Sequence, residues 1–246
     1  MALNQLIQRP HGIILVTGPT GSGKTTTLYA ALQQINQDSR NIMTIEDPIE
    51  YDLNGISQTA VNTQTGMTFA QGLRSILRQD PNVIMVGEIR DLETAKVAVQ
   101  ASLTGHLVFS TVHTNTAAGT ITRLQDMGVE PFLLSSGVVG VLAQRLVRRL
   151  CNECKRLDPL ATEVDKAFTA VGCGSCQHTG YQGRVGLYEL LEVTEDIKKA
   201  IHDGCGEQQL QQLARHQHAS LHQHGLQLVA QGITSTDEVL RVSQDS

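Results

Sequence analysis

Gly18-Pro19-Thr20-Gly21-Ser22-Gly23-Lys24-Thr25 is the stretch on which the reading of this chain turns. It follows the apolar run Ile13-Ile14-Leu15-Val16 and leads into Thr26-Thr27-Leu28-Tyr29-Ala30-Ala31-Leu32, so it joins a strand pattern to a helix pattern. In that setting the spacing G-x-x-x-x-G-K-T is a P-loop. Glycines let the backbone turn tightly enough for successive N–H groups to face phosphates, and the following helix N-terminus adds a favourable dipole. Lys24 is placed to reach the β- and γ-phosphates, and the Thr25 hydroxyl to ligate Mg2+. Gly18 through Thr26 are therefore the expected binding residues for a nucleoside triphosphate, ATP.

Outward from that loop, strand and helix patterns alternate. Ile42-Met43-Thr44-Ile45 is a second strand, running into Glu46-Asp47-Pro48-Ile49-Glu50-Tyr51. Thr68 caps a helix to about Arg78, which Asp80-Pro81 stops. Val83-Ile84-Met85-Val86 is a third strand, closed by Gly87-Glu88. Asp91 caps a helix to about Thr104, Leu107–Thr111 is a fourth strand, and residues 116–127 are helical. Pro131 to Leu150 reads as a longer helical region with a basic end at Arg145, Arg148 and Arg149. Alternation of this kind predicts an α/β fold with a parallel sheet covered on both faces. The continuous, non-alternating apolar strands agree with that.

Composition narrows the function classes. The chain has 246 residues and 40% apolar content, enough for one large α/β domain with a smaller appendage. Its formal charge is −5, aromatic residues make up 3% and tryptophan is absent. Neither an electrostatic grip on nucleic acid nor a base-stacking platform is expected from that balance. No apolar run approaches the roughly 18–20 residues that span a bilayer, and the first residues lack signal-peptide character. A cytoplasmic location is expected, with cysteines present as thiols or metal ligands.

Two strand ends are acidic. Glu46, Asp47 and Glu50 follow one strand and Glu88 another, and the carboxyl ends of parallel strands form the ligand-binding edge of such sheets. Carboxylates there can hold Mg2+ and polarise an attacking water. His106 and His113 flank the fourth strand, and His113 leaves it at the presumed active edge.

From Cys151 the character changes. Cys151-x-x-Cys154 and Cys173-x-x-Cys176 stand in the spacing of a four-thiolate zinc site. Four protein ligands leave no open position, so the expected role is structural. Cys205 is a bystander. His216, His218, His222 and His224 cluster near the C-terminus and read as a solvated polar helix, not a second metal site. From about Thr194 the chain is short helices: 194–203, 206–216, 219–231 and 235–243, the last with a capping box of Ser235 and Glu238. The expected organisation is a core over 1–150, a tetracysteine module over 151–192 and a helical subdomain over 193–246.

Taken together, Gly18–Thr25, Thr44–Tyr51, Leu77–Pro81 with Val86–Asp91, and Thr104–His106 with His113–Asn115 closely resemble the secretion ATPase superfamily. They match that family's Walker A, Asp box, Walker B and His box in order. Within it, Glu130–Leu133, Gly140–Arg148 and the cysteines are most similar to the type II secretion assembly ATPases, with pilus-assembly ATPases close behind. Pilus-retraction ATPases, which lack the cysteine module, fit less well. The resemblance implies a RecA-like ATPase that works as a hexameric ring on the cytoplasmic side of the inner membrane. It further implies docking to platform and membrane-anchor proteins and the driving of pseudopilus assembly. Membrane association would then run through partners alone. It implies Glu46 as the acid that orients water, Glu88 as the magnesium-side acid, and His106 and His113 as phosphate-proximal residues.

Family members also carry a domain before the P-loop that supplies arginines to a neighbour's nucleotide, and the expectation is that this chain lacks it. Arg74, Arg78 and Arg90 lie in family-like stretches without a role assigned in trans. The expected behaviour is ATP binding with weak hydrolysis. The alternatives are a pilus-assembly ATPase and a nucleotide-holding zinc adaptor that is inert alone.

Overall fold

The first strand sets the architecture, because both of its faces are apolar. In the computed structural model, which describes residues 2–159 and 167–243, Ile13 and Leu15 enter one core and Ile14 and Val16 another. The expected cysteine module and helical subdomain thus include residues 160–166 and 244–246, which lie outside the described residues.

In chain order the elements are α1 (Ala2–Leu6), β1 (Gly12–Thr17), α2 (Lys24–Ile35), β2 (Ile42–Glu46), β3 (Ser57–Ala60), α3 (Phe69–Ile76), β4 (Val83–Val86), α4 (Leu92–Leu103) and β5 (Leu107–Val112). They continue with α5 (Ala117–Asp126), α6 (Pro131–Gly137), β6 (Val138–Leu150), β7 (Arg156–Leu157), β8 (Phe168–Thr169) and β9 (Tyr181–Glu192). Four short helices follow: α7 (Glu195–His202), α8 (Glu207–Arg215), α9 (Leu221–Ala230) and α10 (Thr236–Ser243).

A seven-stranded sheet runs in the order β3-β2-β4-β5-β1-β6-β9. Every neighbouring pair in it is parallel except β6 and β9, which are antiparallel. One face packs on α1 and α2 through Leu6, Leu28, Tyr29, Leu32 and Ile35. The other face carries α3 to α5 and the later helices, through residues such as Leu73, Val99, Ile121, Ile197 and Leu221. Burial on both sides explains why the strands show no hydrophobic alternation. The caps read from sequence at Thr68 and Asp91 are made, accepting from the N–H groups of Gln71 and Thr94.

The helix expected over 131–150 is instead two elements. Only Pro131–Gly137 is helical, and Val138–Leu150 is a strand paired with β1 on one side and β9 on the other. Val138, Val139 and Val141 favour the pleated surface, and burial on both faces removed the period that would have marked a strand. Gly140 is required by close approach, since a Cβ there would lie 2.6 Å from Leu6 Cδ1.

Nor does the basic end of that segment form a patch. Arg145 is buried at 5% exposure, Arg148 pairs with Glu238, and Arg149 is exposed. The capping box of α10 is half made. Ser235 Oγ accepts from Glu238 N–H at 3.4 Å, while the Glu238 carboxylate turns to Arg148 and Arg241. Among the described residues no helix is long and apolar enough to cross a membrane.

Candidate nucleotide cleft and cysteine cluster

Because β1, β2, β4 and β5 are parallel, the chain leaves each of them at the same sheet edge. There Thr20, Gly21, Gly23, Lys24, Thr25, Thr26, Glu46, Glu50, Glu88, Arg90 and His113 line one cleft of about 610 Å³, a volume suited to a nucleotide. The P-loop turns through Gly18 (φ 146°) and Gly23 (φ 85°), conformations closed to most side chains. Gly23 starts α2 without a side-chain cap, and the first turn of α2 contains no acid. Its N–H groups are thereby left for an anion. Ser22 Oγ, buried beside the loop, has no hydrogen-bond partner among the described residues.

Lys24 Nζ donates to the carbonyls of Gly18 at 2.7 Å and Pro19 at 3.0 Å. Burial pushes its pKa below the usual lysine value; Glu88 opposes this and Arg145 adds to it. Glu88 is itself engaged, with Arg90 Nε at 2.6 Å and His113 Nε2 at 3.5 Å from its Oε2. Glu46 is 2% exposed and accepts from Thr44 Oγ1 at 2.6 Å, Gln58 Nε2 at 3.0 Å and the Tyr29 hydroxyl.

Of the two histidines, only His113 reaches this edge. His106 precedes β5, at the opposite end of the strand and roughly 20 Å away by strand rise. Its Nδ1 lies 3.0 Å from the Ala101 carbonyl, and its own carbonyl accepts from Gly12 N–H. The position is explained by direction: a residue entering a parallel strand cannot share the edge that residues leaving it occupy.

Two cleft-supporting residues escaped the sequence reading. Gln144 on β6 bridges the loop and helix, donating to the Ser22 carbonyl at 2.7 Å and accepting from Thr27 Oγ1 at 2.7 Å. Arg145 donates to the carbonyl of Asn115 at 2.7 Å, in the loop that carries His113. A buried amide inside an otherwise apolar run was the available signal for Gln144.

The four cysteines of the two C-x-x-C pairs come together, all four sulfurs within 4.8 Å of one another. The separations are 3.7 Å for Cys173–Cys176, 3.8 Å for Cys154–Cys176 and 3.9 Å for Cys151–Cys173. A tetrahedron with ligand distances of about 2.3 Å has edges of about 3.8 Å, so the set fits zinc. Backbone N–H groups also point at sulfur, from Gly172 to Cys154 at 3.3 Å and from Cys173 and Gly180 to Cys176 at 3.2 Å. Burial works against a Cys176 thiolate, yet those N–H groups and the neighbouring thiols outweigh it and bring its pKa to about 6. Burial pushes the Cys154 thiol up to about 12. Cys205 stands outside the cluster. The C-terminal histidines likewise form no metal-binding group among the described residues: His222 meets Ser243 and His224 accepts from Tyr188 N–H.

The family described as Type II/IV secretion system protein matches residues 1–241. The chain belongs to that family. A putative type II secretion system protein E of Escherichia coli (strain K12) is 58% identical over 252 residues, covering 98% of this chain and 51% of the relative. The type II secretion system ATPase E of Vibrio cholerae is 58% identical, over 98% of this chain and 50% of its own length. The chain thus spans about half the length of the curated relatives it matches.

Among solved structures, the pilus retraction motor PilT with bound ADP superposes with a TM-score of 0.79 at 36% identity, over 99% of this chain and 64% of that one. The Legionella pneumophila ATPase DotB gives 0.76 at 25% identity, over 100% and 63%. The sheet of this chain is therefore that of the secretion ATPases, and the tetracysteine cluster is built onto it.

Proposed function

We propose that this chain is the ATP-binding and ATP-hydrolysing domain of a type II secretion ATPase, whose turnover powers pseudopilus assembly. One observation carries the reading: the P-loop, the acidic ends of β2 and β4 and His113 all open onto one cleft. The loop N–H groups and Lys24 bind the phosphates, exchanging the Gly18 and Pro19 carbonyls for phosphate oxygens. Thr25 and Glu88 are the residues that would hold Mg2+, which supplies charge neutralisation at the phosphates when bound. Glu46 orients the attacking water, and His113 lies where it can donate to a γ-phosphate oxygen.

The four cysteines hold a structural zinc ion, with no open position for chemistry. The domain works in a homo-hexamer, on the cytoplasmic face of the inner membrane. It docks there to platform and anchor proteins and receives arginines from a neighbouring subunit. An arginine supplied in trans is worth about 10³–10⁵ in rate, so the isolated chain binds ATP and turns it over slowly.

The test is phosphate release at several protein concentrations, for the chain alone and fused to a hexameric scaffold. Turnover that rises with forced assembly supports a motor domain completed between subunits. Negligible turnover in both states, with ATP still bound, favours a nucleotide-holding adaptor.

A further inference from the structure

The Tyr29 side chain is fully buried on α2 and lies four residues after Thr25, on the same helix face. Its hydroxyl donates to Oε2 of Glu46, across the gap between the P-loop helix and the end of β2. Oε1 of the same carboxylate is filled from two other sides, by Thr44 Oγ1 and Gln58 Nε2. A carboxylate offers about four acceptor sites. Three are taken by these donors, and the one left is on Oε2. The Tyr29 ring is wedged edge-on against Tyr51, with centroids 4.8 Å apart, and Glu50 N–H donates to its oxygen at 3.3 Å. The phenol therefore cannot swing away without disturbing two neighbours.

We infer that Tyr29 is a positioning residue for the hydrolytic step: by occupying one site on Oε2 it aims the single remaining site of Glu46 at the attacking water. This rests on the reading that Glu46 orients that water. Burial, together with the hydrogen bond to Glu46, holds the phenol pKa well above the ordinary tyrosine value. Tyr29 thus remains a donor throughout the working pH range. The arrangement also ties the acid to the helix that carries the P-loop. The water-orienting group and the phosphate-binding loop are held in one rigid frame.

The experiment measures kcat, KM and affinity for a fluorescent ATP analogue in the scaffold-assembled chain, for Tyr29→Phe, Glu46→Gln and the double variant. Tyr29→Phe keeps the ring and its packing, and thermal melting checks that the fold is retained. The expected result is a kcat about tenfold lower for Tyr29→Phe, the equivalent of one lost hydrogen bond, with KM and analogue affinity unchanged. Glu46→Gln is expected to lose more, and the double variant to be no slower than Glu46→Gln, because the phenol acts only through that carboxylate. Installing 3-fluorotyrosine at position 29, which restores the hydroxyl, is expected to return kcat to within about twofold of the parent.

Full kcat in Tyr29→Phe beside an inactive Glu46→Gln overturns the role of Tyr29 and leaves the Glu46 reading standing. Additive losses in the double variant, or a loss confined to analogue affinity, also overturn it. Full kcat in Glu46→Gln overturns the Glu46 reading first, and the inference with it.

Discussion

The nucleotide cleft and the cysteine cluster are both made from tight turns, yet they are stabilised in opposite ways. The cleft gathers side chains from the ends of several parallel strands, and its geometry is set by a core of Ile13, Leu15, Ile45, Ile84 and Val108 behind it. The cluster sits between β6 and β9 beside a two-stranded sheet whose Leu157 is exposed, with Val171 exposed close by. One site is preformed by apolar packing and open to its ligand. Among the described residues the other has little core, and an ion at the centre of the four sulfurs would fix its geometry.

That contrast is tested most severely by removing metal. One zinc per chain is expected from metal analysis, and structural sites of this kind are worth about 10–16 kcal/mol. Chelation should raise amide exchange around Cys151–Cys154 and Cys173–Gly180 while β1, β4 and β5 stay protected. Unchanged exchange near the cysteines would break the comparison.

Lys24→Ala should reverse the pattern. Removing the ammonium is expected to weaken binding of a fluorescent ATP analogue by about 100-fold, with zinc content and melting temperature near those of the parent. A loss of zinc in that variant would show that the two sites are not independent.

A smaller effect sharpens the boundary between them. Glu238 on α10 is 1% exposed and accepts from Arg148 N–H, the Arg148 guanidinium and Arg241. Burial by itself would raise its pKa, but the two arginines outweigh that and hold it at about 2, below the usual 4.5. A depressed carboxylate contributes stability that is complete above its unfolded value and is lost as pH falls through its folded one. The melting temperature should therefore fall between about pH 4.5 and pH 2, and Glu238→Gln should flatten part of that fall. With both arginines half-exposed, the contribution is about 2 kcal/mol.

Smallest of all is Gln144→Leu. It strands the Thr27 hydroxyl and the Ser22 carbonyl and should cost about 1 kcal/mol of analogue affinity, or roughly fivefold. Unaltered affinity would show that the P-loop holds its shape without β6.

What the sequence made legible follows from how local each signal is. The P-loop, the caps at Thr68 and Asp91 and the paired cysteines are short-range patterns, each with its own physical cause. Glu46 and Glu88 could be placed at one edge because strand direction alone decides it. His106 failed by the same rule, since it enters β5 where His113 leaves it. The strand over Val138–Leu150 was hidden because its period is erased when both faces are buried. Gln144 gains its meaning from a loop more than a hundred positions earlier and Arg145 from the loop at Asn115, and no spacing rule reaches either. Tyr29 was closer to hand, one helical turn beyond Thr25, but its partner lies on another strand.

The antiparallel pairing of β6 with β9 gives the cysteines a further consequence. Cys151 and Cys154 follow the last residue of β6, and Cys173 and Cys176 precede the first residues of β9. A shared ion at that point would pinch the chain where the two strands part. To the sheet, the connection between the two cysteine pairs would then count as a short turn, with most of its loop-closure entropy removed. The register of β6 against β9 would be fastened from outside the sheet, by a single bound ion and not by the core that shapes the cleft.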